Sequence, residues 1–207
     1  LKKMKVGIIG CGNISAIYLA NLKNSPVVEV IACADLISER ARARAEEYGI
    51  ANVFTVDEIL ACPDIELIVN LTLPSTHAAI DKAVLEAGKH VYGEKPLATS
   101  LEDGKRVLNI ADDRGLRVGS APDTFLGSGI QTVKAAIDAG MIGKPIGATC
   151  FQMGAGPEGW HPDPEFFYEP GGGPMLDLAP KKGSKFLFRQ PRFLPVRWIS
   201  RMVQWLR

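Results

Sequence analysis

Six short apolar, β-rich runs alternate with helix-like segments over the first 120 residues. That alternation constrains the fold more than any other feature of the chain. Residues 5–9 are an apolar run ending in glycine and read as a buried strand. Residues 13–24 then place Ile14, Ile17, Tyr18, Ala20 and Leu22 near helical spacing, and Pro26 stops the helix. The same reading predicts strands at 27–34, 53–55, 66–71, 90–92 and 116–119. It predicts helices at 38–48, 56–61, 75–87 and 100–114, with Gly49, Gly88 and Gly115 ending three of them. Strand followed by helix, repeated in this way, predicts an α/β fold: a doubly wound parallel sheet with helices on both faces and right-handed crossovers.

After Ser120 the pattern changes. Residues 129–139 read as one more helix closed by Gly140, and 145–153 as a strand of a different layer. Residues 154–174 hold six glycines and five prolines, more than half of the segment, and read as a long surface loop. Loops of that length inside a compact domain are more often functional than idle. The expected organisation is a doubly wound α/β domain at 1–121, part of a second, α+β domain at 122–180, and an atypical tail at 181–207.

Charge sharpens the last boundary. Residues 181–207 carry eight of the 24 basic side chains and none of the 23 acidic ones, so residues 1–180 are net acidic. An acidic body does not point to nucleic acid as a partner. No apolar stretch approaches the roughly 18–20 residues of a membrane span. Cys11, Cys33, Cys62 and Cys150 show no CxxC or metal-knuckle spacing, so no metal site is expected. Free thiols, a reducing compartment and a cytoplasmic location are expected. The apolar run 6–9 is too short for the core of a signal peptide, because Gly10-Cys11-Gly12-Asn13 interrupts it.

The first chemical signal is that interruption. Gly10-Cys11-Gly12-Asn13-Ile14-Ser15 follows a predicted strand and opens a predicted helix, the context in which a GxGxx turn carries meaning. Gly10 permits the tight turn and Gly12 lets the backbone approach a pyrophosphate. Ser15 stands where the helix must pack closely on the strand. The free N–H groups at the start of the helix favour phosphate. The second signal is Asp35, 25 positions after Gly10 at the end of the second strand. A carboxylate there accepts the adenosine ribose hydroxyls of NAD and repels the 2′-phosphate of NADP. Arg40 close by leaves NADP open. Taken alone, Asp35 also suits a helix N-cap.

Three later motifs select a family. They are Leu71-Thr72-Leu73-Pro74-Ser75-Thr76-His77 after the third long apolar run, Gly93-Glu94-Lys95-Pro96-Leu97-Ala98, and the segment 157–177. That segment contains Trp160-His161-Pro162 and ends in Gly171-Gly172-Gly173-Pro174-Met175-Leu176-Asp177. Over residues 4–179 the chain resembles the Gfo/Idh/MocA family of NAD(P)-dependent oxidoreductases. The resemblance implies a Rossmann domain binding NAD, with NADP permitted, through Gly10, Gly12, Asn13, Ile14, Asp35, Thr72, Leu73, Pro74, His77, Glu94 and Lys95. It implies hydride transfer between nicotinamide and a secondary alcohol of a sugar, cyclitol or related polyol. Lys95 is implied to touch the substrate hydroxyl and help its proton leave, and Asp177 to belong to a later active-site motif. His161 is a candidate substrate contact or base. The full-length family forms homo-oligomers. From the residues alone, Thr72 and Ser75 also suit simple helix capping, His77 a structural role, and Lys95 a surface pair with Glu94.

The chain departs from the family where members often carry a histidine four positions after the acidic residue; Lys181 stands there. Beyond Pro180 the resemblance stops. Three readings of 181–207 follow: a truncated or frameshifted product, a short variant with a refolded C-terminus, or a basic-aromatic arm that binds membrane, nucleic acid or a partner. The resemblance implies a further helix and a large, mostly antiparallel sheet beyond this point; Lys181 and the lack of that sheet also admit a rival, a catalytically inactive dinucleotide-binding relative.

Overall fold

The computed structural model describes residues 2–121, 126–147, 156–159, 161, 164–169 and 172–173. Asp177, Trp160 and the tail 181–207 lie outside the described residues, as do 148–153 of the strand expected at 145–153. Residues 145–147 are irregular. The chain divides into two compact units, Leu1–Ala121 and Pro122–Arg207.

The first unit runs β1 (Met4–Ile9), α1 (Ser15–Lys23), β2 (Val28–Ala34), α2 (Ser38–Tyr48), β3 (Asn52–Phe54), α3 (Val56–Ala61), β4 (Leu67–Asn70), α4 (His77–Glu86), β5 (His90–Glu94), α5 (Leu101–Asp113) and β6 (Val118–Ala121). Its strands form one six-stranded sheet in the order β3-β2-β1-β4-β5-β6. Every neighbouring pair is parallel. All six strands therefore end at the same edge. The order reverses between β1 and β4, where open α/β sheets bind their ligands.

Two apolar layers sandwich the sheet. Val6, Ile8, Cys33, Leu67 and Val69 pack with Leu19 of α1 and with Ala41 and Ala45 of α2. Ile9, Ala32, Ala34, Ile68 and Val91 pack with Ile59 of α3, Val84 and Leu85 of α4, and Val107 and Ala111 of α5. The alternation Val6/Ile8 against Ile9 thus feeds both faces. Each fully buried Ile, Leu or Val side chain contributes roughly 1.5–3 kcal/mol.

Helix ends follow local chemistry. Thr55 and Glu58 form a reciprocal capping box on α3, Ser100 caps α5 by accepting from the Asp103 N–H, and Gly49 closes α2 in the left-handed region. One expectation is corrected. The helix expected from residue 75 opens instead with a 3-10 turn, Pro74–Thr76, and α4 starts at His77 without a side-chain cap. Pro74 takes the first position of that turn, where its missing N–H costs nothing. β5 runs two residues further than expected and β6 starts two later.

In the second unit the described residues hold α6 (Ser128–Asp138), followed by Gly140 at φ 76°, and a 3-10 turn at Glu165–Phe167. No helix among the described residues is long and apolar enough to cross a membrane.

Candidate cofactor and active site

The two glycines of the first turn are required for different reasons. Gly10 has φ 99°, and a Cβ there would lie 2.6 Å from the backbone carbon and oxygen of Leu71. The turn passes so close to the end of β4 that only glycine fits. Gly12 has ordinary φ, and a Cβ there would meet nothing within 4 Å. No atom of the described residues excludes a side chain at Gly12. The open volume suits a ligand that approaches the backbone.

Asn13 and Ile14 are exposed beside the turn, and α1 begins at Ser15. Ser15 is fully buried; its hydroxyl donates to the Gly12 carbonyl at 2.6 Å and accepts from Arg44 Nε at 3.0 Å. Cys11 between the glycines is also buried, its Sγ donating to the Ala34 carbonyl at 3.6 Å, and the neighbouring Cys33 together with burial pushes its thiol up and away from the reactive thiolate.

Asp35 lies one residue past β2. Its Oδ2 accepts the Cys11 N–H at 2.7 Å and its Oδ1 accepts the Ile37 N–H at 2.8 Å. The carboxylate is thereby held against the glycine turn. It does not cap α2, whose N-cap is Ile37 with no side-chain bond, so the capping alternative falls away.

A second cluster forms where β4 and β5 end. Asn70, fully buried, closes β4. Its Oδ1 accepts the Thr72 N–H at 3.2 Å and the Thr72 hydroxyl at 2.7 Å. Its Nδ2 donates to the His77 carbonyl at 3.2 Å and to Asp81 Oδ1 at 2.7 Å. Asp81 is fully buried too, and its Oδ2 has no partner among the described residues. Burial pushes its carboxyl up to about 7 against the opposing pull of the Asn70 bond.

His77 takes a different place from the ligand contact expected of it. It is 1% exposed, with Nδ1 at 2.6 Å from the Pro96 carbonyl and Nε2 at 2.9 Å from the Thr72 carbonyl. The ring braces the segment after β4 against the segment after β5, and neither nitrogen is left for a ligand.

Glu94 closes β5. Its Oε1 accepts the Tyr18 hydroxyl at 2.6 Å and its Oε2 the Lys95 N–H at 3.0 Å. Lys95 follows at once, half-buried. The structure thus brings Gly10, Gly12, Asn13, Ile14, Asp35, Thr72, Leu73, Pro74, Glu94 and Lys95 to one edge of one sheet. His161 belongs to the second unit, where its N–H donates to the Pro157 carbonyl at 2.8 Å. No group of three His, Cys, Asp or Glu side chains among the described residues could hold a metal ion.

Sequence reasoning missed Tyr18, Arg44, Asn70 and Asp81. Asn70 carried a readable signal, a polar residue ending the apolar run Leu67-Ile68-Val69. Asp81 shares a helix face with His77 four positions earlier. Tyr18 and Arg44 carried none, because their partners lie 76 and 29–32 residues away.

The residues present fit a dinucleotide. The open volume at Gly12, the N-terminus of α1 and the anchored carboxylate of Asp35 supply a phosphate site and a ribose acceptor side by side.

Comparison with known proteins agrees. The model of the GFO_IDH_MocA family, described as an oxidoreductase family with a NAD-binding Rossmann fold, matches residues 4–121. The chain is 31% identical over 177 residues to a 1,5-anhydro-D-fructose reductase of Ensifer adhaerens, covering 84% of this chain and 52% of that protein. It is 31% identical over 151 residues to inositol 2-dehydrogenase 3 of Saccharopolyspora erythraea, covering 71% and 44%. A 3-ketoreductase of Actinomadura kijaniata, crystallised with NADP and TDP-benzene, superimposes with a TM-score of 0.63 at 30% identity, covering 67% of this chain and 43% of that one. The chain spans about half the length of the curated relatives it matches. With more than half of its residues matched by the family model, on the fold and the turn that the geometry displays, the chain belongs to the Gfo/Idh/MocA family of oxidoreductases.

Proposed function

We propose that the protein carries out NAD(P)-dependent oxidoreduction of a secondary alcohol on a sugar, cyclitol or related polyol. The observation that carries the reading is the pairing of Gly12, open to a ligand, with Asp35, whose carboxylate is fixed beside it by the Cys11 N–H. The names of the relatives, a sugar reductase and an inositol dehydrogenase, favour a catalytic role over a non-catalytic dinucleotide binder. When bound, the nicotinamide dinucleotide supplies the hydride chemistry.

This chain's own residues do the rest. The Gly10–Ser15 turn binds the pyrophosphate. Asp35 accepts the ribose hydroxyls and favours NAD over NADP by repelling a 2′-phosphate. Thr72, Leu73 and Pro74 line the nicotinamide side at the end of β4. Lys95, at the end of β5, meets the substrate hydroxyl and assists its proton, a role open to a lysine in a partly desolvated site. Asp177, of the later active-site motif, and His161, a substrate contact or alternative base, come from the segment 122–180, which we assign to the substrate domain. The thiol usage fits a cytoplasmic setting.

Fluorescence titration with NADH and NADPH tests the reading, on the chain and on Asp35→Ala. Saturable NADH binding that weakens at least tenfold in Asp35→Ala supports it, and a screen of polyols then follows. A well-folded chain that binds neither nucleotide sinks it.

A further inference from the structure

We propose that Arg44 is a cofactor-positioning residue, which fixes the peptide between Gly12 and Asn13 so that its N–H is presented to the pyrophosphate. The inference rests on the dinucleotide reading above and adds to it a residue of α2, outside the glycine-rich turn.

Three donors converge on the carbonyl oxygen of Gly12. They are the Ser15 hydroxyl at 2.6 Å, the Ser15 N–H at 3.2 Å and Arg44 Nη2 at 3.4 Å. Arg44 Nε also donates to Ser15 Oγ at 3.0 Å. The guanidinium therefore holds both the oxygen and the hydroxyl that shares it. Its remaining arm, Nη1, donates to Glu47 Oε2 at 2.6 Å.

The consequence follows from peptide geometry. Among the described residues only Lys95–Pro96 is cis, so the Gly12–Asn13 peptide is trans. A trans peptide is planar, and its C=O and N–H point in opposite directions. With the Gly12 oxygen held on the side of α2, the Asn13 N–H faces away from α2. The peptide cannot turn over without breaking all three bonds and leaving the buried Ser15 hydroxyl short of partners. Open space at Gly12 removes any steric brake on such a turn, so the hydrogen bonds must supply it. The fork of an arginine suits this task. A lysine offers a point charge and cannot span both Ser15 Oγ and Gly12 O.

The test compares ADP, which carries a pyrophosphate, with adenosine, which does not, by calorimetric titration of the full chain. Arg44→Ala is expected to weaken ADP and NADH binding about tenfold while adenosine affinity stays unchanged. Arg44→Lys should recover part of the loss. Glu47→Gln keeps the guanidinium and should bind ADP as the parent does; its melting curve and that of Arg44→Lys guard against a folding artefact.

Unchanged ADP affinity in Arg44→Ala overturns the inference. So does an equal loss for ADP and adenosine, or a loss in Glu47→Gln as large as in Arg44→Ala. A parent chain that binds neither ADP nor NADH overturns the dinucleotide reading itself, and this inference with it.

Discussion

The hydroxyl of Tyr18 donates to Oε1 of Glu94 at 2.6 Å, which ties α1 to the end of β5. α1 opens at the glycine turn, and Glu94 immediately precedes Lys95. One hydrogen bond to a carboxylate therefore links the helix that follows the proposed phosphate turn to the strand end that carries the proposed proton-handling lysine. Such bonds contribute about 1.5–3 kcal/mol. Tyr18→Phe removes only the hydroxyl. NADH affinity is expected to fall about tenfold, with ADP affinity unchanged, because Glu94 adjoins Lys95, which the proposed function puts beside the substrate and the nicotinamide. Parallel titrations with the two ligands check this; equal losses would place Tyr18 in the fold rather than in the site.

Gly10 and Gly12 are expected to separate stability from binding. Gly10→Ala drives a methyl to 2.6 Å from the Leu71 backbone at a positive φ, and should cost several kcal/mol, on the order of 3 or more. Gly12→Ala meets no atom of the described residues and should melt within about 1 kcal/mol of the parent. Its NADH affinity should nevertheless drop at least tenfold. Urea unfolding and fluorescence titration of both variants decide the matter.

Asp81 makes stability depend on pH in a definite direction. Its carboxyl is raised from 3.8 to about 7 by burial, so the folded state holds a proton that the unfolded chain releases between these values. Below about pH 4 both states are protonated and the group contributes nothing. As pH rises from there to about 7 the folded state loses ground, by roughly 4 kcal/mol at most, and above 7 the penalty stays constant. Asp81→Asn removes the titration. Its stability, followed by urea unfolding at pH 5 to 8, should vary less than that of the parent.

Lys89 tests a contact remote from the site. Its side chain is buried, and Nζ donates to the carbonyls of Cys62 at 2.6 Å and Ile65 at 2.9 Å, between α3 and β4. Lys89→Met strands both carbonyls and should destabilise the chain by about 2 kcal/mol or more. NADH affinity of the folded fraction should be unchanged. A binding defect at full stability would contradict this structural role.

Most elements of the first unit were legible in the chain, and the reasons are local. Pro26, Gly49, Gly88 and Gly115 punctuate the helices by conformational rules that act within a turn. The boundaries that shifted did so where tertiary contacts intervene. β5 extends to Glu94 because Gly93 and Glu94 pair with Ser120 and Ala121 of β6, a partner no local signal names. α4 starts late because Pro74 nucleates a 3-10 turn and His77 is pulled between the Thr72 and Pro96 carbonyls. His77 shows the limit most clearly. A histidine at a helix start beside a presumed ligand reads equally well as a contact or a brace, and only its two carbonyl neighbours separate the two.

By itself the sequence determined the alternation of strand and helix, the glycine turn after β1, the carboxylate after β2 and the lysine after β5. Each of these is written in neighbouring residues, through period, punctuation and composition. Tertiary structure decided the rest. It set β1 beside β4, where the strand order reverses, and brought Arg44 to Gly12, Tyr18 to Glu94, and Asn70 to Asp81. These pairs depend on which strands lie side by side and on how the helices settle over them. That is fixed when two apolar layers close on the sheet, by packing that no short stretch of chain encodes.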